Sequence, residues 1–353
     1  MNVNWFNAPI ALPSTEHQRL ARGHQERLTK PAGSLGRVEE LAIALAGLQR
    51  TIAPSAERVP VLIFAGDHGV VAQGVSAYPA AVTVEMLKNF ANGGAAISVL
   101  ARVLSLPLTV VDAGSLLEGD LSGVQQDKPR RGSRDFTSER ALTLDEVNFA
   151  LGCGRRGVAR AASHGADVLI LGEMGIGNTT SAAAIACALT GRQPGDVVGL
   201  GTGVDAAGLS RKVDAIEKAL ALHSLTAGHA QPLNIIEAVG GLEIAALTGA
   251  IIASAQAEIP VLVDGFIVSV AALAAVCVNP SCRPWMLFSH RSAERGHRIV
   301  LEALAANPIL DLEMRLGEGS GAAIALPILR LACALHNGMA TFEQAAVSGR
   351  IGS

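Results

Sequence analysis

The sequence predicts an α/β protein: a mainly parallel sheet flanked by helices, with a small helical domain built from both chain ends. Three observations carry this prediction. Half of the 353 residues are hydrophobic (50%), only 3% are aromatic and 17% charged, and 38 are glycine. A core of that composition is built from Ala, Val, Leu and Ile with many tight backbone passages. Short runs that are apolar on both faces recur along the middle of the chain, each followed by a glycine turn and a helical pattern, as strands buried in a parallel sheet require. The two ends lack such runs and show helical periodicity instead.

Taken in order, helical patterns cover Ser14 to Leu28 and Gly36 to Gln49. Six strand runs follow. Val59 to Ala65 leads to Gly66-Asp67-His68-Gly69, Leu106 to Val111 to Asp112-Ala113-Gly114, and Ala166 to Leu171 to the glycine-rich stretch Gly172 to Asn178. Val197 to Leu200 leads to Gly201-Thr202-Gly203, Ile259 to Val263 to Asp264-Gly265, and Trp285 to Phe288 to Ser289-His290. Six such units imply a doubly wound, Rossmann-like sheet whose ligands bind beyond the carboxyl ends of the strands. The polar, Gly-, Arg- and Pro-rich stretch from Ser115 to Ser138 reads as a long excursion, and residues 291–345 as mostly helical. The expected division is a large domain over 30–300 and a small one made of 1–29 together with 301–353.

Charge and patterning exclude several classes. Lys+Arg 28 against Asp+Glu 31 gives a net charge of −3, with one Tyr and two Trp, so neither a basic surface nor stacking aromatics point to nucleic acid. The mean hydropathy of +0.37 raises the question of a membrane. The best candidate span, Ile259 to Val278, is interrupted by Pro260, Asp264 and Gly265, and reads better as a buried strand, a loop and a packed helix. No export signal is expected from MNVNWFNAPIAL. Five cysteines with no CxxC pair suggest buried free thiols and a cytoplasmic protein.

Several motifs could carry chemistry. Gly172 to Asn178 places a glycine loop between a strand and the helix that begins Asn178-Thr179-Thr180, a ready anion site or an ordinary capped turn. It has neither Walker spacing nor GxGxxG. Two further loops, Gly199 to Gly203 and Gly317-Glu318-Gly319-Ser320-Gly321, make one phosphorylated ligand a better reading than three coincidences. Lys212, early in the helix after the second loop, is either a phosphate partner or a solvated charge. Glu318 sits between glycines at the start of the apolar helix Ala322 to Leu335, either as a dipole-favoured acid or as a shielded general base. Glu173 has the same flanks. Asp67, His68 and Asp264 at strand ends face either a substrate or neighbouring loop backbone. His290 and His297 read as incidental, and no metal-ligand spacing or nucleophile elbow is present.

Five ordered strings, Lys30 to Arg37 (KPAGSLGR), Ala65 to Val70 (AGDHGV), Gly172 to Thr180 (GEMGIGNTT), Val261 to Phe266 (VLVDGF) and Arg315 to Gly321 (RLGEGSG), span nearly the whole chain. Together they resemble the nicotinate-nucleotide–dimethylbenzimidazole phosphoribosyltransferases of cobalamin lower-ligand synthesis. The resemblance implies a homodimer acting on nicotinate mononucleotide and 5,6-dimethylbenzimidazole without a cofactor, and makes Glu318 the catalytic base. It implies a nucleotide site of Gly175, Gly177, Asn178 and Thr179, with Gly201, Thr202, Gly203 and Lys212, and with Glu173 near the ribose. Ser289, Ser292, Gly319 and Ser320 would edge that site, and Tyr78, Met86 and Leu316 would wall the benzimidazole slot. Two rivals stand beside this reading: a nicotinamide-dependent oxidoreductase, which should show GxGxxG, and a non-catalytic nucleotide-binding module, which would not need Glu318.

Overall fold

The computed structural model describes residues 4–201, 203–225 and 230–348. Helices α1 (Thr15–Arg27) and α2 (Arg37–Leu48) precede β1 (Val61–Gly66). Then come α3 (Ala81–Ala91), α4 (Ala96–Leu104), β2 (Leu108–Gly114), β3 (Val124–Gln126), α5 (Leu144–Ser163) and β4 (Leu169–Met174). Helices α6 (Asn178–Thr190), α7 (Pro194–Val197), α8 (Ala206–Leu222), α9 (Pro232–Val239) and α10 (Leu242–Gln256) lead to β5 (Val261–Val263) and α11 (Phe266–Val278). The chain closes with β6 (Met286–Phe288), β7 (His290–Arg291), α12 (His297–Ala303), β8 (Leu310–Asp311) and α13 (Ser320–Gly338).

Six strands pair in the order β3-β2-β1-β4-β5-β6, all parallel. This is the doubly wound Rossmann order, whose direction reverses between β1 and β4. Every residue of β1 and β5 is buried, because helices cover both faces. Helices α10 and α11 are apolar on all sides and buried along most of their length, so no solvent-facing stripe is left for charge.

Two strand expectations shift. Val197 to Leu200 is not a strand: the one-turn helix α7, begun by Pro194, ends at Val197 and the chain then turns. Its place in the sheet is taken by β3, which lies within the polar excursion and pairs Val110, Val111 and Asp112 with Val124, Gln125 and Gln126. The C-terminal stretch also contains the short parallel pair β7-β8, so it is less uniformly helical than expected. Ile259 to Val278 does resolve into strand, loop and packed helix. Helix α13 is long and apolar enough to cross a membrane, but it packs against α2, α4 and β4.

The chain ends meet. Leu28 and Thr341 form an antiparallel bridge, the His24 ring bonds the His336 carbonyl at 2.9 Å, and α2 lies against both α1 and α13. The cysteines are unpaired, and Cys277 is exposed where a buried thiol was expected.

Candidate active site

A cavity of about 630 Å³ opens beyond the carboxyl ends of the strands, lined by residues that follow β4, β5 and β7 and by the loop before α13. That loop is built from backbone that L residues avoid. Gly317, Glu318 and Gly319 have φ of 82°, 62° and 75°, so the one side chain among three left-handed residues is Glu318. Strain of this kind costs on the order of 1–3 kcal/mol and persists only where surrounding contacts impose it. Asp264, just past β5, supplies two such contacts: its carboxylate accepts the Gly319 N–H at 3.2 Å and the Ala322 N–H at 2.9 Å. It thereby caps α13 from another element. Ser320 Oγ closes the turn by donating to the Gly317 carbonyl at 2.6 Å.

Glu318 lines the cavity yet is buried, and its Oε2 has no hydrogen-bond partner among the described residues. Burial raises its pKa above the ordinary carboxylate value, and the Asp264 charge adds to this while the Ile97 backbone opposes it. Glu173, at the end of β4, is pushed up to about 8, first by burial and then by Glu243, Asp264 and Glu318. Its carboxyl receives the Asn178 amide from the start of α6. Burial thus favours the protonated form of both neighbouring carboxyl groups.

On the far side of the cavity, Lys212 of α8 is 2% exposed, which rules out the solvated-charge alternative. Its Nζ donates to Thr179 Oγ1 at 3.2 Å and to the Gly199 carbonyl at 3.4 Å, and burial lowers its pKa. Arg315 binds the Gly201 carbonyl at 2.9 Å, so two cations flank one loop at the cavity wall. Thr202 lies outside the described residues.

The phosphoribosyltransferase family model matches residues 10–347. A curated relative in Bradyrhizobium sp. (strain ORS 278), named nicotinate-nucleotide–dimethylbenzimidazole phosphoribosyltransferase, is 63% identical over 351 residues, covering 99% of each chain. The chain belongs to the nicotinate-nucleotide–dimethylbenzimidazole phosphoribosyltransferase family. A Pseudomonas aeruginosa relative of the same name is 55% identical, again over 99% of each chain. The crystal structure of the Thermus thermophilus protein of that name superposes with a TM-score of 0.90 at 42% identity, covering 96% of this chain and 100% of that one.

Within this phosphoribosyltransferase the cavity joins most of the residues singled out from sequence. Glu173, Gly175, Asn178, Thr179, Gly201, Asp264, Ser292, Glu318, Tyr78, Met86 and Leu316 line it. Tyr78 and Leu316 are 52% and 58% exposed, which sets them at its mouth. Gly177, Lys212, Ser289, Gly319 and Ser320 do not line it, and Lys212 reaches it through Thr179. Gly203 is exposed outside it.

Asp67 and His68, considered as pocket residues, do not line this cavity. Asp67 accepts the Leu116 N–H at 2.8 Å, and His68 Nε2 meets Glu243 Oε1 at 2.6 Å with both side chains fully buried. Each still keeps one buried polar atom, Asp67 Oδ1 and His68 Nδ1, with no hydrogen-bond partner among the described residues. His290 and His297 are also not incidental. His290 lines the cavity with Nε2 3.7 Å from Asp264 Oδ1, while His297 accepts the Ser292 N–H at 2.8 Å and faces Ser269 Oγ at 3.0 Å. Burial pushes the His297 pKa down to about 3, so it is a neutral prop for Ser292.

Sequence reasoning missed Phe266 and Ile267, which add apolar wall, and the charged residues Glu294 and Arg315. The signal for Glu294 was its position two residues after Ser292.

Proposed function

We propose that this chain moves ribose 5-phosphate from nicotinate mononucleotide to a nitrogen of 5,6-dimethylbenzimidazole, with Glu318 as the general base. Nicotinate and α-ribazole 5′-phosphate are the products, as in assembly of the cobalamin nucleotide loop. The observation that carries the reading is Glu318 itself: one carboxylate, held in a left-handed turn on the cavity wall with an unpartnered oxygen.

The chemistry needs one base and no acid. Nicotinate leaves from a pyridinium and carries off its bonding pair as a neutral ring nitrogen. The benzimidazole nitrogen attacks C1′ from the opposite face, which converts a β-nucleotide into an α-riboside. The ring then carries a proton on its other nitrogen, and Glu318 removes it. Lys212, Thr179 and the Gly201 loop hold the phosphate, and distance from C1′ makes that contact mostly uniform binding. The apolar walls Met86, Phe266 and Leu316 suit a flat bicyclic acceptor. Glu173, which lines the cavity and keeps its proton to about 8, donates to a ribose hydroxyl in this reading.

The reading extends to a homodimer, a cytoplasmic location, and a small domain of 1–29 with 301–353. A monomeric mass in light scattering at micromolar concentration would contradict the dimer. The activity is tested by mixing the protein with nicotinate mononucleotide and dimethylbenzimidazole, without added metal, and measuring nicotinate. Release is expected. No release with any benzimidazole or purine acceptor would favour a nucleotide-binding module instead.

A further inference from the structure

Two walls of the cavity are joined by one buried hydrogen bond. Helix α3 lines the cavity with Val82 and Met86, which lie one helical turn apart on the same face. Thr83, the next residue after Val82, is fully buried, and its Oγ1 accepts the Ile176 N–H at 3.1 Å. Ile176 belongs to the turn between β4 and α6, and Gly175, Ile176 and Asn178 line the cavity beside it. Among the described residues this is the one side-chain hydrogen bond made to Gly175, Ile176 or Gly177.

The turn is packed closely on its other side. A Cβ on Gly175 would collide with the Gly66 carbonyl oxygen, and Gly177, with φ of 92°, would bring one to 2.7 Å from Val71 Cγ2. Both glycines press the turn onto the segment at the end of β1, while Thr83 ties its middle residue to α3. Pulling α3 and the turn apart would leave a buried N–H without a partner, which costs the full desolvation of that group. A displacement of either wall therefore tends to carry the other with it.

We propose that Thr83 is a positioning residue that couples the binding of the two substrates. A benzimidazole seated against Val82 and Met86 settles α3 and, through Thr83, the turn that receives the nucleotide. The nucleotide does the same in the opposite direction. Each ligand then finds its wall already ordered, which removes part of the cost of binding, and by linkage the gain is the same in both directions. This rests on the reading above, in which α3 faces the acceptor and the turn before α6 faces the nucleotide.

The test is calorimetric binding of ribose 5-phosphate, which carries no nicotinate to displace, with and without saturating dimethylbenzimidazole. The wild-type chain should bind it about fivefold more tightly when the benzimidazole is present, and the benzimidazole should gain by the same factor from ribose 5-phosphate. Thr83→Val has nearly the same shape but cannot accept the Ile176 N–H, and should abolish the gain in both directions. Thr83→Ser keeps the hydroxyl and should retain it. Absence of coupling in the wild type overturns the proposal, a result that stands even if Thr83→Val folds poorly. Coupling that survives in Thr83→Val also overturns it, and would assign the effect to direct contact between the ligands. Equal loss in Thr83→Ser and Thr83→Val overturns it as well, because packing rather than the hydroxyl would then be responsible. If the wild type binds neither probe, the assignment of the two walls fails and the proposal with it, whereas binding of both without coupling rejects the role of Thr83 alone.

Discussion

Gly172 of β4 lies against the backbone of Glu318: a Cβ on Gly172 would stand 2.5 Å from the Glu318 carbonyl carbon and equally close to the Gly319 nitrogen. The strand omits a side chain at the one point where the carboxylate-bearing turn crosses it. Backbone cannot swing aside as a flexible side chain can, so the turn's position depends on that omission. Gly172→Ala should displace Glu318, lowering kcat by about 10²-fold for a shift near 1 Å. Overpacking of this kind should reduce stability by roughly 1–3 kcal/mol. Steady-state kinetics alongside a thermal melt checks both. A variant with normal kcat would mean that the turn adapts without moving the carboxylate.

Glu173 makes stability depend on pH. In the folded chain it keeps its proton to about 8, against 4.5 for the ordinary carboxyl. Between those values the folded state holds a proton that the unfolded state has released, so stability falls as pH rises through this window and the loss is complete above it. Glu173→Gln removes the effect. Its melting temperature should match the wild type near the lower end of the window and exceed it increasingly toward the upper end. A constant offset across the window would contradict the burial of this carboxyl.

Lys212→Ala should act on binding more than on turnover. A contact with the phosphate, remote from C1′, stabilises the bound ground state and transition state alike. The expected result is a KM for the nucleotide raised about tenfold or more with kcat within about threefold of wild type. An unchanged KM would remove Lys212 from the site.

The architecture was legible where both faces of a strand are buried, since runs such as Val61–Gly66 are apolar throughout. It failed at β3, because a three-residue edge strand ending in Gln125 and Gln126 has one covered side and a polar sequence. It failed in the opposite direction at Val197 to Leu200, where Val197 and Val198 are buried by packing of a helical turn and a loop. Among the cavity residues, Glu318 and Glu173 were legible because each stands in a glycine-rich stretch after a strand or before a helix. Glu294 and Arg315 were missed because what brings them to the cavity is contact with the 199–201 loop, which lies far from both in sequence. The His68–Glu243 contact was illegible for the same reason, since the two lie 175 residues apart.

The central claim is that Glu318 accepts the benzimidazole proton. Glu318→Gln keeps the size of the side chain and most of its hydrogen bonding but cannot take that proton. General-base removal commonly lowers rates about 10²- to 10⁴-fold, or roughly 3–5 kcal/mol of barrier at about 1.36 kcal/mol per decade. The decisive measurement is single-turnover release of nicotinate by Glu318→Gln at saturating nicotinate mononucleotide and dimethylbenzimidazole, with the affinity of each measured separately. A rate reduced by about 10²-fold or more with near-normal affinities is the result expected of a general base. A variant that retains more than about a tenth of the wild-type rate falls outside that range and would assign the base to another carboxylate, Glu173 first.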